Sequence, residues 1–409
     1  MPTFIPFFEK ASHQVAKLQA AYPSRPRLAS LKLALWSLGK AATGHILGDM
    51  AFVRSSAKGE NLRLAFILRG GIGDVIINLA WMEALTDLSQ VPCRVDIFTN
   101  TPKDCMRELC WDKACVDGIL SLKKAVPFSA YDAVFDVMQN PQVRSACRER
   151  LEALSPSLWD YVRRLLAFQA AHASFYTDEN QAMGIHYADV MGGGRRRQPD
   201  FDGSLDLLHS DFMLNCRVPF SEVAQRFRLE RPYVTLQREA GASEHSLKMW
   251  SAEKYAALVT AMRKRFPGYD IVLVGQRPNF ELPAGSGPHI RDLRGSTSFG
   301  ELMSIVGHAT LHIGGEGLIP HLRHFLRGGP SLVLFGPSCA RMLGYPENLA
   351  LFGSECPNGC EGITPAWQQK CLKGYECCRS LEEIQVEDVL ASCEKAGLTG
   401  RAAGSVPRD

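Results

Sequence analysis

The apolar positions of the chain form two series of short continuous runs, each interleaved with stretches of helical spacing. The first series begins at Leu62. "LRLAFIL" has the length and apolar density of a buried strand, and "DVIINLAWMEALTDL" follows with apolar residues three and four apart. "CRVDIFTN" predicts a strand, "KDCMRELC" a helix, and "DGILSL" and "YDAVFDVM" two further strands. Residues 140–225 are richer in helical spacing and less regular. The alternation restarts at Tyr233. "YVTLQ", "YDIVLVG", "TLHIGG" and "SLVLFGP" predict strands; "SAEKYAALVTAMRKRF", "SFGELMSIVGHA" and "IPHLRHFLR" predict helices. Strands alternating with helices imply parallel, doubly wound sheets. The chain therefore reads as α/β, with two units joined near Arg226–Pro232. Ligands of such sheets bind at the carboxyl ends of the strands. With two units face to face, the cleft between them is the expected site.

Residues 1–60 form an extension to this plan. Within it, "RLASLKLALWSLGKAATGHIL" puts Leu28, Leu31, Leu35 and Leu38 at helical spacing, and six Lys or Arg between Arg25 and Lys58 face the single acid Asp49. Such a helix either lies on an anionic membrane surface or packs on the main body. The expected organisation is an extension over 1–60, a first Rossmann-like domain over 61–228, a second over 229–396, and a disordered tail, "GLTGRAAGSVPRD", over 397–409.

Composition changes this picture little. A chain of 409 residues can bury two cores, and 46% hydrophobic with 22% charged residues is ordinary for a globular protein. A net charge of +3 is too small to demand a nucleic-acid partner. No apolar run approaches the roughly 18 residues of a membrane span. The opening "MPTFIPFFEKASHQ" is broken by Glu9 and Lys10 and makes a poor signal peptide. A cytoplasmic location is expected, in which the thirteen cysteines are mostly reduced thiols or metal ligands.

Candidate chemistry begins at "FILRGGIGDVIINL". Gly70, Gly71 and Gly73 lie between a strand and a helix, where glycine permits a tight turn and close backbone approach. A dinucleotide fingerprint fails here. "GGIGDVI" lacks the third small residue, no acid ends the second strand, and an NAD-dependent enzyme is disfavoured. Asp74 is either a cap for the helix or a general base taking a proton from a hydroxyl. In the second unit, "LQREAGASEHSLKMWSAEKY" combines Gly241, Ala242, Ser243, Lys248 and a helix start, a set suited to a diphosphate or, more plainly, a solvated loop. "LHIGGEGLIPH" places Glu316, Gly317 and His321 after a strand, where a carboxylate is either favourable at a helix start or binds sugar hydroxyls. "GGGRRRQPD", with Arg195, Arg196 and Arg197, is a solvated loop or a contact for an acidic acceptor. The spacing C-x3-C-x10-C-x5-C-C over Cys356, Cys360, Cys371, Cys377 and Cys378 furnishes thiolates for zinc or iron, or else holds reduced thiols or a redox pair.

Four stretches in register resemble one family, the ADP-heptose:lipopolysaccharide heptosyltransferases of glycosyltransferase family 9. They are "RGGIGDVI", "KMWSAEKY", "GSTSFGEL", and "EGLIPH" followed by "LFGP". The resemblance covers about residues 62–392. It implies a GT-B architecture, two facing Rossmann-like domains around a cleft. It implies Asp74 as the base that deprotonates the acceptor, with Arg69, Gly70, Gly71, Gly73 and His186 on the acceptor side. Lys248, with Gly241 and Ser243, would bind the donor diphosphate. Glu316, Gly317 and His321 would lie at the donor sugar. No catalytic metal is expected, while the family often carries a cysteine-rich segment, so Cys356, Cys360, Cys371 and Cys378 are the candidate ligands of a structural zinc or iron. The implied activity is transfer, with inversion, of a heptose-like sugar from a nucleotide diphosphate such as ADP-heptose to a glycan or glycolipid at the inner membrane's cytoplasmic face. Two alternatives stand beside it: transfer to autotransporter-type serines, and a non-catalytic sugar-nucleotide-binding or assembly protein. The chain departs from the family where Asp becomes Glu316 and Ser/Thr–Gly becomes Gly317–Leu318.

Overall fold

The computed structural model describes residues 59–123, 126–137, 141–171, 212–238, 247–282, 287–356, 359–361 and 366–400. The basic N-terminal helix therefore lies outside the described residues. So do Gly241, Ser243, His186, Arg195 and Arg196 among the expected site residues, and the last nine residues of the tail.

The first half opens with β1 (Leu62–Leu68), α1 (Ile72–Leu88), β2 (Cys93–Thr99), α2 (Lys103–Leu109) and β3 (Val116–Ser121). It continues with β4 (Ala133–Val137), β5 (Pro141–Ala146), α3 (Arg148–Leu154) and α4 (Pro156–Ala171). Its sheet has the order β3-β2-β1-β4-β5. β1 is apolar on both faces because it is central. Leu64, Phe66 and Leu68 pack towards Trp81 of α1, and Ala65 and Ile67 towards Phe98 and Val134 on the other side. The all-parallel expectation is corrected at one edge. β5 runs antiparallel to β4, with a register shift between Val134 and Phe135. Its "PQVRSA" alternates apolar and polar residues as an edge strand does, and the short run is hard to distinguish from loop.

The second half follows α5 (Phe220–Phe227). It comprises β6 (Tyr233–Gln237), α6 (Ala252–Arg265), β7 (Asp270–Leu273), β8 (Ile290–Asp292), α7 (Phe299–His308), β9 (Leu311–Gly315), α8 (Leu318–Phe325) and β10 (Ser331–Leu334). After these come α9 (Ala340–Leu343), β11 (Leu349–Leu351), α10 (Arg379–Glu383) and α11 (Val386–Lys395). Its parallel sheet has the order β11-β10-β9-β6-β7-β8. Period-two alternation assigns each strand's faces. Val234, Leu236, Ile271, Leu273, Leu332 and Leu334 join the core under α6 and α11. Tyr233, Val272, Val333 and Phe335 join a core that continues into the first half. The two halves are thus not merely apposed. α8 packs on α1 and α7 on α2, with Ile319, Leu322 and Phe325 in the same apolar cluster as Val75 and Leu79.

Helix starts carry the expected signals. Ser251 caps α6 by accepting from the Lys254 N–H at 3.1 Å. Ser298 and Glu301 form a reciprocal capping box at α7, with bonds of 3.3 and 2.7 Å, and Arg226 pairs with Glu301. The segment "GSTSFGEL" is therefore explained by helix initiation. Among the described residues no helix is long and apolar enough to cross a membrane.

Candidate functional site

The site is built from loops that leave the carboxyl ends of strands in both halves. In the first half the chain leaves β1 through Arg69, whose N–H donates to the Val137 carbonyl at 2.9 Å. The Arg69 guanidinium grips Asp136 at the end of β4 with two bonds, 2.8 and 3.1 Å. Arg69 thus ties two strand ends together beneath the glycine loop. Gly70 has φ +92, and a side chain on it would lie 2.6 Å from the Asp74 carboxylate. The Gly71 N–H donates to Asp74 Oδ2 at 2.8 Å, so the carboxylate folds back over its own helix start. Gly73 serves a different purpose. A Cβ there would lie 2.9 Å from His321 Cδ2 and 3.6 Å from the Leu318 Cα. Its bareness is what lets α1 and α8 meet.

In the second half Glu316 follows β9 and is 6% exposed. Its Oε2 pairs with the Lys248 ammonium and accepts from Ser338 Oγ at 2.9 Å. Its Oε1 lies 3.5 Å from His321 Nε2, and His321 Nδ1 lies 2.8 Å from the Tyr345 hydroxyl. Burial pushes the Glu316 carboxyl up, but the Lys248 charge and the His321 contact outweigh it and hold the group well below the usual 4.5. Lys248 in turn lies 5.2 Å from the centre of the Trp367 ring. At Gly317 a Cβ would meet nothing within 4 Å, so the loss of a side chain there leaves open space beside Glu316.

Two expected groups thus reach one place. Asp74 and Gly73 come from the first half, and Glu316, His321 and Lys248 from the second. His321 is the joint: it touches the backbone side of Gly73, and it faces Glu316, which holds Lys248. Three members were not foreseen. Ser338 had a signal, since it directly follows the "LFGP" stretch. Tyr345 and Trp367 carry none locally, because only the return of the chain brings them to the site.

The cysteine segment packs close by. Every cysteine is a free thiol. Burial, then the neighbouring Cys378, Cys356 and Cys371, push the Cys360 thiol up to about 11. The four expected ligands therefore share one neighbourhood. Among the described residues, however, no three His, Cys, Asp or Glu side chains converge as a metal site.

Two packed α/β units with loops at the carboxyl ends of their strands are the GT-B architecture. Residues 199–360 match the model of glycosyltransferase family 9 (heptosyltransferase), which upholds the resemblance seen in the motifs. Among solved structures, ADP-heptose LPS heptosyltransferase II of E. coli is similar with a TM-score of 0.51 and 16% identity, over 82% of this chain and 98% of that one. The glycosyltransferase family 9 protein of Veillonella parvula DSM 2008 gives 0.52 and 16%, over 82% and 97%. The iron-containing dodecameric glycosyltransferase TibC of enterotoxigenic E. coli H10407 gives 0.52 and 16%, over 82% and 76%. These likenesses establish the shared fold. No curated protein matches the sequence.

Proposed function

We propose that this chain is an inverting heptosyltransferase that moves a heptose-like sugar from ADP-heptose to a hydroxyl of a glycan acceptor such as a lipopolysaccharide inner core. The observation that carries this reading is the continuous contact from Gly73, beside Asp74, through His321 and Glu316 to Lys248. It joins the glycine loop that carries Asp74 on one half to an ammonium on the other. In the proposed reaction, Asp74 takes the acceptor's proton as the oxygen attacks the anomeric carbon. The diphosphate leaves towards Lys248, which stabilises the charge that develops on it. Glu316, buried and ionised, holds Lys248 between turnovers and faces the donor sugar. The boundaries proposed for the two domains are 61–228 and 229–396. The place of action is the cytoplasmic face of the inner membrane, where the acceptor is built.

The test is transfer from ADP-heptose by purified protein, with Asp74→Asn as the variant. Loss of transfer with donor binding retained supports the reading, and near-full transfer by the variant refutes it. One observation favours a second reading, that of a non-catalytic nucleotide-sugar-binding protein: Lys248 is already engaged by Glu316, a residue one methylene longer than the family's aspartate. Donor binding without transfer or donor hydrolysis would select it.

We propose a structural zinc or iron for the cysteine segment, whose thiols, among the described residues, do not converge as a metal site and would have to draw together to bind it. Four thiols in one neighbourhood suit either metal by donor chemistry, and one similar structure is described as iron-containing. Cys356, Cys360, Cys371 and Cys378 would hold it. A metal held there would cross-link the loops of this segment. Elemental analysis of the purified chain is expected to give one zinc or iron per molecule, lost in Cys360→Ser. A metal content well below stoichiometric would remove the assignment.

A further inference from the structure

The cysteine-rich segment does more than sit near the site; two of its legs are fastened to the loops that carry site residues. On the first leg, the Cys360 and Glu361 N–H groups both donate to the Pro337 carbonyl, at 2.6 and 2.9 Å. Gly359, at φ +68, is pressed so close that a Cβ would lie 2.4 Å from that same oxygen. Pro337 directly precedes Ser338, which donates to Glu316. On the second leg, the Gln368 carbonyl accepts from the Leu247 N–H at 2.7 Å, and Leu247 directly precedes Lys248. The Leu247 carbonyl, in turn, lies 3.1 Å from where a Gly336 Cβ would be. Between these fastenings Trp367, 8% exposed, puts its indole 5.2 Å from the Lys248 ammonium. The rest of the lysine's motif is held instead by the end of α10. Trp250 Nε1 donates to the Ile384 carbonyl at 3.2 Å, and Lys254 Nζ donates to the carbonyls of Glu382 and Ile384 at 2.6 and 2.9 Å.

We propose that residues 359–361 and 366–368 form a wall of the donor site, and that Trp367 is a positioning residue that fixes the Lys248 ammonium for a nucleoside diphosphate. The proposal rests on the reading of Lys248 as the diphosphate ligand. The physical basis is simple. A lysine has a long flexible stem and a compact charge, so its position must be set by what surrounds it. Glu316 attracts the ammonium from one side. An indole face attracts a cation through its ring quadrupole and puts no competing acceptor oxygen on the ammonium. Trp367 thus provides a resting place from which Lys248 can turn to the diphosphate while its charge remains partly compensated. In a site where Glu316 alone held the lysine, incoming phosphate would have to displace the carboxylate outright.

The experiment uses the full chain and measures ADP binding by calorimetry and ADP-heptose kinetics for Trp367→Leu, Trp367→Phe, Lys248→Ala and the double variant Trp367→Leu/Lys248→Ala. Trp367→Leu is expected to weaken ADP and raise the donor KM by about tenfold, with kcat changed much less. Trp367→Phe, which keeps an aromatic face, recovers most of that loss. In the Lys248→Ala background Trp367→Leu has no further effect, because the cation it positions is gone. A merely structural tryptophan would weaken binding equally in both backgrounds, and that result would overturn the proposal. So would wild-type ADP affinity in Trp367→Leu. If the leucine variant does not fold, the phenylalanine variant decides: a weakening of about two- to threefold that vanishes in Lys248→Ala supports the proposal, and its absence or its persistence there refutes it. A wild-type protein that binds no nucleoside diphosphate or its sugar overturns the parent reading and this one together. Wild-type binding with an indifferent tryptophan overturns this one alone.

Discussion

Two carboxylates stand near the junction of the halves, and their surroundings are opposites. Asp74 is half-buried at the open start of α1, bonded to the Gly71 N–H of its own turn. Glu316 is buried at the end of β9, with Lys248, His321 and Ser338 gathered on its two oxygens. A general base must meet the acceptor and must take a proton willingly. Glu316 has both oxygens engaged by neighbours, and these stabilise the anion so well that its proton affinity is depressed. Its environment suits a permanent charge that orders cations. Asp74 is partly exposed at a helix start, as the proposed base requires. The difference teaches that carboxylates in similar strand-to-loop positions are given different electrostatic character by what covers them.

The sharpest way to break this comparison is to neutralise each carboxylate in turn. Asp74→Asn keeps an oxygen for the Gly71 N–H and removes the base. Transfer should fall by about 10²–10⁴ in kcat, with ADP affinity and thermal midpoint close to wild type. Were Glu316 the base instead, Asp74→Asn would leave kcat nearly intact and Glu316→Gln would abolish it, so parallel kinetics on the two variants separates the roles.

Glu316 should show its weight in stability. Glu316→Ala leaves the Lys248 ammonium largely buried beside an indole and a neutral methyl. Breaking a buried pair in this way costs about 3–5 kcal/mol. Replacing both members, as Lys248→Met with Glu316→Leu, should cost clearly less, because no charge is left stranded. Urea unfolding of the three proteins measures this directly. A double variant as unstable as Glu316→Ala would mean that the pair's packing, and not its charge, holds the region.

How much of this was legible in the sequence follows from the same contrast. The strands of both sheets announced themselves as apolar runs because central parallel strands are covered on both faces, as Leu62–Leu68 and Leu311–Gly315 are. The edge strands β5, β8 and β11 did not, since short half-covered strands alternate or barely exist as patterns. Asp74, Lys248, Glu316 and His321 stand out as candidates because strand-to-helix loops are where such folds place chemistry. The meaning of Gly73 was not: its need for a bare Cα comes from His321, almost 250 positions away. Tyr345 and Trp367 were invisible for the same reason. Local pattern reports what a residue does for its own element, and these residues act on another.

The smallest effect expected is a pH dependence that distinguishes two buried groups on one stretch of chain, His312 within β9 and Glu316 just after it. Burial, reinforced by the charge of Arg323, pushes the His312 imidazole well below the usual 6.5, against the opposing bond to Thr235. The folded protein therefore resists protonation that the unfolded chain accepts. The stability this group contributes is complete above about pH 6.5 and is lost as the pH falls below it, at up to about 1.4 kcal/mol per pH unit. Glu316 behaves in the same direction for a different reason. Its depressed carboxyl contributes fully above the usual 4.5 and is lost only as the pH falls beneath that value. Acid unfolding followed at constant urea should thus weaken in two stages. His312→Gln should flatten the stage that begins near pH 6.5, and Glu316→Gln the one below pH 4.5, each leaving the other in place. A single stage removed by Glu316→Gln alone would show that His312 takes up its proton as readily in the folded protein as in the unfolded chain. It would leave the anchor of the second half as the one acid-sensitive element of this pair.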